Sequence, residues 1–190
     1  MGLKGSKTEQ NLLKAFAGES QARNRYSYFA SAAKKEGYEQ ISEIFQETAE
    51  NEKEHAKRFF KFLEGGAVEI TASYPAGVIG NTLENLKSAA EGENEEHTVL
   101  YPGFAEVAEK EGFAPIASAF RMISKVEVEH EKRYLKLAAN IENSEVFSKS
   151  APVKWKCRNC GYVHEGTSAL EKCPACLHPK TYFEVKENNY

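Results

Sequence analysis

The chain has no cysteine before Cys157, only one tryptophan and two methionines, and no apolar run near the roughly 18 residues that a membrane span needs. Met1 to Leu13 lacks the apolar core of a secretory signal. Basic residues are not in excess: 25 Lys and Arg stand against 28 Asp and Glu, a formal charge of −3. Nucleic-acid binders usually present a basic face, so neither a nucleic acid nor a membrane is expected as a partner. A G-x-G-x-x-G fingerprint is also missing, so no resident dinucleotide site is expected. What remains is a 190-residue chain, 41% hydrophobic and 28% charged, enough for one large domain or a domain plus a small module.

The late cysteines form two C-x-x-C pairs, Cys157/Cys160 and Cys173/Cys176. A disulfide framework would spread cysteines along a secreted chain, whereas this spacing reads as a metal site in a reducing, cytoplasmic setting. Two such loops can enclose one ion with four thiolates. Zinc there would make a structural ribbon and a single iron a one-electron carrier; the spacing alone leaves both open. Residues 154–190 carry Gly, Pro and aromatics without a helical period, which predicts a small metal-bound β/turn module. Trp155, Tyr162 and Phe183 are expected around its site, with His164 and His178 at the surface. Residues 147–153 (FSKSAPV) read as a linker.

Residues 1–146 read as helices. The first is expected over 8–36, opened by a capping box at Ser6 and Glu9 and stopped by Gly37. Its apolar stripe, Leu12, Ala15, Glu19, Ala22, Tyr26, Phe29 and Ala33, steps by three and four. A second helix over 39–63 carries Ile41, Phe45, Thr48, Glu52, His55, Phe59 and Phe62. A Gly- and Pro-punctuated connection fills 64–80. The third helix is expected over 82–110, closed by Gly112, and the fourth over 114–143 with Ile116, Phe120, Ile123, Glu127, His130, Tyr134 and Leu137 inward. A shift of 75 positions superimposes Tyr26 on Tyr101, Ile41 on Ile116, Glu52 on Glu127 and His55 on His130. The chain thus repeats one helical hairpin, and two hairpins joined by one long crossover is the connectivity of a ferritin-like four-helix bundle.

Both hairpins carry an E-x-x-H unit, Glu52/His55 and Glu127/His130, whose members share a helix face. Glu19 sits at mid-height of the first helix, and Glu93 and Glu96 at mid-height of the third, so all seven residues meet at one level. Charges on a core stripe are costly unless compensated, and two cations would compensate them. Carboxylates with two imidazoles and no sulfur disfavour copper(I); bundle precedent puts di-iron first and di-manganese second, and zinc would bind without redox chemistry. The repeat is imperfect here: the shift drops Glu19 on Asn94, one position past Glu93, and Glu96 has no counterpart. Tyr26 and Tyr101 either hydrogen-bond ligand carboxylates or simply fill the core, and both readings stand. His97 is expected as an ordinary polar or core residue.

The segments AFAGESQARNRY, ENEKEHAKR, EGENEEH and VEVEHEKR, with CRNCGYVHEG and CPAC at the end, resemble the rubrerythrin family over nearly the whole chain. The resemblance implies a non-haem di-iron peroxidase that reduces hydrogen peroxide to water. It implies that Glu52 and Glu127 bridge two irons, that Glu19 and Glu93 are terminal ligands, and that His130 stays on one iron. The other iron would exchange Glu96 for His55 on reduction, and Cys157, Cys160, Cys173 and Cys176 would hold one iron of rubredoxin type. A head-to-tail homodimer and electrons from NAD(P)H through separate reductase or rubredoxin partners are implied as well. The competing readings are ferritin-like iron oxidation or storage, which needs no cysteine module, and a zinc-ribbon interaction protein on a helical scaffold.

Overall fold

A computed structural model describes residues 2–189. Five α-helices, α1 (Lys7–Lys35), α2 (Glu39–Phe60), α3 (Thr82–Glu95), α4 (Tyr101–Lys110) and α5 (Ala114–Glu142), precede three strands, β1 (Ser148–Cys157), β2 (Val163–Ser168) and β3 (Phe183–Val185). α3 and α4 are one rod joined by a single π-helical turn, Glu96–Leu100. The bundle therefore has four rods: α1 pairs with α2, and the α3–α4 rod pairs with α5. The crossover 64–80 joins the two hairpins, so the fold is the ferritin-like bundle that the repeat predicts.

The helix boundaries follow from local chemistry. Gly37 (φ +85) and Gly112 (φ +87) take the left-handed conformation that ends α1 and α4, with Tyr38 N–H bonding to Ala33 O at 2.9 Å and Phe113 N–H to Ala108 O at 2.7 Å. Ser6 caps α1 by accepting from Glu9 N–H at 3.0 Å. Glu9 does not return to Ser6 as a capping box requires; its carboxylate accepts from Gly5 N–H at 2.7 Å. The reciprocal box is at α3 instead, between Asn81 and Glu84. α2 stops at Phe60, three residues before the expected end, and leaves Phe62 and Leu63 half-buried against the core.

The predicted stripes face inward. Every stripe residue of α1 and α5 is buried, as are Ile41, Phe45, Thr48, Glu52 and Phe59 of α2. They build two apolar clusters, one around Tyr26, Phe29, Phe45, Leu86 and Tyr134, the other around Leu12, Phe59, Tyr101, Ile116 and Phe120. Glu19, Glu52, Glu93, Glu127 and His130 are also buried. Their carboxylates and the imidazole converge, at the mid-height of the rods.

The third helix is not the continuous α-helix expected over 82–110. The π turn takes in one extra residue, which is why Glu19 and Tyr26 are seven apart in α1 while Glu93 and Tyr101 are eight apart in the α3–α4 rod. Both pairs nevertheless face the interior.

The C-terminal strands form an antiparallel sheet of order β2-β1-β3. β1 begins at Ser148 and pairs with β2 from Ser148↔Ser168 through an irregularity to Val153↔Gly166. Residues 148–153, expected as linker, are therefore strand, and the irregularity next to Pro152 fits a residue that has no N–H to give. Trp155, Cys157, Cys173 and Phe183 form the module's buried core, with Tyr162 packed against it. The module lies at the α1–α2 turn of the bundle, where Tyr38 stacks on Phe147 with ring centroids 6.1 Å apart and Thr181 lies against Gly37.

Candidate metal centres

The helix periodicity delivers six of the seven expected bundle ligands to one place. Donor atoms of Glu19, Glu52, His55 and Glu127 lie within 4.8 Å of one another, and so do those of Glu52, Glu93, Glu127 and His130. Glu52 and Glu127 belong to both groups, so the geometry describes two adjacent sites with two shared carboxylates. Each E-x-x-H unit closes on itself: His55 Nδ1 is 2.9 Å from Glu52 Oε2, and His130 Nδ1 is 2.8 Å from Glu127 Oε2. Each imidazole also reaches the opposite hairpin, His55 to Glu127 at 3.0 Å and His130 to Glu52 at 3.2 Å.

These atoms converge without satisfying one another. Glu19 Oε2, Glu52 Oε1, Glu93 Oε2, both Glu127 oxygens and His130 Nδ1 are buried and have no aligned hydrogen-bond partner among the described residues. His130 Nδ1 is close to the carboxylates of Glu52, Glu93 and Glu127 yet is aligned for a hydrogen bond with none, the disposition of ligands aimed at a common point. Buried polar groups in folded proteins are otherwise nearly always paired, so the donor set fits two cations.

Electrostatics support the same fit. Burial, the Glu52 charge and the Glu127 charge push Glu19 well above the ordinary carboxyl range, and burial with the Glu52 charge raises Glu93 to about 8. Burial would raise Glu52 too, but the neighbouring imidazoles of His130 and His55 outweigh it and hold that carboxyl at about 2. For His130 burial opposes the charged form, while Glu127, Glu52 and Glu93 raise it to about 12. His55 is raised as well, by Glu127, Glu19 and Glu52 against its burial. Protons thus occupy sites that two divalent ions would otherwise neutralise.

Tyr26 and Tyr101 hold the carboxylates of the opposite hairpin. Tyr26 donates to Glu93 Oε1 at 2.7 Å, and Tyr101 donates to Glu19 Oε1. Both rings are buried in the core, and both hydroxyls bond to carboxylates of the candidate ligand groups.

Glu96 is the residue the structure keeps apart. It belongs to neither ligand group, and it is half-buried in the first residue of the π turn. It lines a cavity of about 250 Å³ shared with Gly18, Tyr26 and Tyr101. Burial and the charges of Glu19 and Glu93 raise its carboxyl well above the ordinary range. Sequence reasoning missed the cover of this cavity. Ala72, Ser73, Tyr74 and Pro75 of the crossover lie over it, and Tyr74 donates to Lys14 O at 2.8 Å. An aromatic–proline pair in an otherwise sparse connection was the available signal. His97 belongs to neither ligand group and pairs with Glu131 at 2.6 Å.

In the module the four thiols lie within 4.8 Å of one another, Cys157 Sγ 3.7 Å from Cys176 Sγ and Cys160 Sγ 3.6 Å from Cys173 Sγ. A tetrahedral ion with bonds of about 2.3 Å requires edges of about 3.8 Å, and a disulfide needs about 2.05 Å. The donors fit one tetrahedral ion. The His178 backbone N–H draws Cys176 down to about 6. His164 and His178 are half-buried outside the ligand group, and His178 packs edge-on against Tyr182 with centroids 4.6 Å apart.

Comparison with known proteins gives the same division. The rubrerythrin family model matches residues 10–138, and the model described as the rubrerythrin rubredoxin-like domain matches 155–184. A rubrerythrin of Porphyromonas gingivalis is 65% identical over 188 residues, 99% of this chain and 94% of its own. A rubrerythrin of Nitratidesulfovibrio vulgaris is 58% identical over 188 residues, 99% and 98% of the two chains. Among solved structures, nigerythrin in its fully reduced, all-ferrous state superimposes with a TM-score of 0.64 at 33% identity, covering 97% of this chain and 91% of that one. The carboxylate–histidine groups are accordingly the candidate di-iron site, and the four cysteines are the rubredoxin-like iron site. No helix among the described residues is long and apolar enough to cross a membrane. This chain belongs to the rubrerythrin family of di-iron, oxidoreductase-type proteins.

Proposed function

We propose that the chain is a peroxidase that reduces hydrogen peroxide to water in the cytoplasm. The observation that carries the reading is the pair of ligand groups sharing Glu52 and Glu127, with Glu96 held outside them on a cavity. Two irons held by the bundle ligands would supply two-electron redox chemistry, and one iron held by the four thiolates would supply one-electron transfer.

The side chains have distinct tasks in this scheme. Glu52 and Glu127, members of both ligand groups, would be shared between two ions, while Glu19 and Glu93 under their tyrosines, and His130, would each hold one. Four carboxylates would balance two divalent ions, and Glu96 could take the place of neutral His55 where more negative charge is needed. Before it binds, the raised Glu96 carboxyl keeps a proton at its oxygen, beside the cavity where peroxide would enter. Tyr74 and Pro75 limit water there.

The thiolate module sits at the α1–α2 turn, and Glu52 lies fourteen residues beyond Tyr38, about 21 Å along α2. Such separation within one chain favours a head-to-tail homodimer in which the module serves the partner's bundle. Electrons reach the module from NAD(P)H through separate reductase or rubredoxin proteins. Stopped-flow mixing of the fully reduced protein with peroxide, and separately with dioxygen, tests the assignment. Faster oxidation by peroxide is expected; faster oxidation by dioxygen would favour ferritin-like iron oxidation.

A further inference from the structure

Gly18 and Gly92 each stand directly before a candidate ligand, Glu19 and Glu93, in the middle of a helix. Neither takes a left-handed backbone conformation, and glycine weakens a helix interior relative to alanine. What the two positions provide is space. A Cβ on Gly92 would meet nothing within 4 Å, and one on Gly18 would touch only the Tyr74 ring at 3.6 Å and Glu96 Oε1 at 3.9 Å. Both glycines line the cavity of about 250 Å³ between α1 and the α3–α4 rod. An apolar cavity of about 150 Å³ is already enough to hold a benzene ring.

The lining combines aromatic rings with two cations. Tyr26, Tyr74, Tyr101 and Phe104 supply the rings. Lys14 and Arg25 supply the cations; both are half-buried, and neither makes an ion pair among the described residues. Arg25 reaches only the neutral oxygens of Gln21 at 3.3 Å and Ser88 at 3.4 Å. One exposed carboxylate, Glu95, shares this part of the lining. Two cations against one carboxylate suit a ligand that carries a single negative charge. Glu96 completes the lining next to Glu19 and Glu93 and belongs to the centre described above. The roof is the crossover. The bond from the Tyr74 hydroxyl to Lys14 O, at 2.8 Å, is the only hydrogen bond that residues 64–79 make among the described residues. A segment anchored so sparsely opens easily, which gives the cavity an entrance.

We propose that this cavity is a binding site for a small aromatic monocarboxylate, an arylacetate or a similar acid, with its ring among the tyrosines and Phe104 and its carboxylate on Lys14 and Arg25. Ligand pockets commonly pair such an apolar, aromatic lining with a few placed polar groups. The rings offer edge-to-face and offset contacts to a ligand ring, and charge-assisted hydrogen bonds from the ammonium and the guanidinium fix its direction. Binding makes and breaks no covalent bond. A peroxide molecule has neither a ring nor a charge with which to use these features, so the site goes beyond the proposed activity and does not depend on it. An occupant closes the approach to Glu96, which ties access to the bundle centre to the concentration of an aromatic acid.

The test is calorimetric titration of the full-length protein, with its metals and without them, using phenylacetate as the probe. Acetate supplies the carboxylate without the ring, and benzyl alcohol the ring without the charge. Phenylacetate is expected to saturate a single site per chain and to bind more tightly than either control. Lys14→Gln should weaken phenylacetate about tenfold, the weight of one lost bond to a charged group, and leave benzyl alcohol unchanged. Gly92→Leu should fill the cavity and abolish the binding of both; its melting temperature and metal content show whether it is intact, and Lys14→Gln decides alone if it is not. Phenylacetate that binds no more tightly than acetate or benzyl alcohol, or that binds Lys14→Gln or an intact Gly92→Leu undiminished, would overturn the inference. Binding that requires the metals would put the carboxylate on an ion and overturn it as well. No arm of the test uses peroxide, so its outcome is separate from that of the peroxidase reading.

Discussion

The two hairpins of the bundle are near copies with different duties. Each supplies one E-x-x-H unit, one further buried glutamate and one tyrosine that reaches across to hold the other's glutamate. This cross-bracing makes the scaffold two-fold and sets two adjacent ligand groups between the halves. Two differences lie at the centre itself: one extra residue in the π turn, and Glu96 at its start. A symmetric pair of hairpins suffices to bind two metals. Glu96, the asymmetric carboxylate, sits on the cavity, where access to the centre would be governed.

The sharpest way to break the comparison is to remove a shared carboxylate. Glu127→Ala takes a donor from both ligand groups and strips His55 and His130 of a common partner. Breaking a buried ion pair costs about 3–5 kcal/mol, and both bundle irons should be lost while the thiolate iron and its colour remain. Iron analysis beside the visible spectrum measures this. Glu19→Ala, which touches one group only, should leave one bundle ion in place.

Next in size is Glu96→Ala. Because Glu96 lies outside both ligand groups, both irons should stay bound and the bundle should melt normally. Peroxide turnover should fall about 100-fold or more, the usual weight of a positioned acid–base group. Loss of both irons on this change would make Glu96 an ordinary ligand and remove the distinction between the hairpins.

The parts of this design that depend on helical period were open to sequence reasoning. Glu52, His55, Glu127 and His130 fall on stripes of Phe, Ile and Leu, and a step of three or four fixes their direction without knowledge of the neighbours. The four cysteines were legible because each C-x-x-C is a local loop. The π turn was not: its residues Glu96–Leu100 are unremarkable in an α-helix, and its only trace was the change from seven to eight residues between glutamate and tyrosine. Strand residues 148–153 were hidden because their structure comes from pairing with β2. The cover formed by Tyr74 and Pro75 was hidden because it depends on where a 17-residue crossover comes to rest.

Smaller effects should follow from the crossed tyrosines. Tyr26→Phe frees the Glu93 carboxylate and Tyr101→Phe frees that of Glu19. Removing a partner that orients a metal ligand typically costs 10–100-fold in affinity. Titration of the metal-free protein should show a weakened His130-side site in the first variant and a weakened His55-side site in the second. Equal weakening of both sites in either variant would mean that the halves are not independently braced.

The smallest effect is carried by protons. In the metal-free bundle the depressed carboxyl of Glu52, at about 2, stabilises above its unfolded value near 4.5, and that contribution is lost as pH falls toward 2. The raised imidazole of His130, at about 12, stabilises fully below its unfolded value near 6.5 and loses that contribution as pH rises. Glu93, raised to about 8, opposes folding progressively as pH climbs from 4.5 toward 8. The metal-free protein should therefore melt highest between about pH 4.5 and 6.5 and lower toward pH 9. Metal binding needs ionised carboxylates and neutral imidazoles, so it releases these protons and strengthens with pH. The gap in melting temperature between loaded and metal-free protein should widen from about pH 5.5 to about pH 8.5. Glu93→Gln, which fixes the neutral form in one hairpin, should flatten the metal-free profile between 4.5 and 8. A gap that stays constant with pH would mean that protons do not stand in for the ions, and that the buried charges of the two hairpins are balanced by something other than their shared centre.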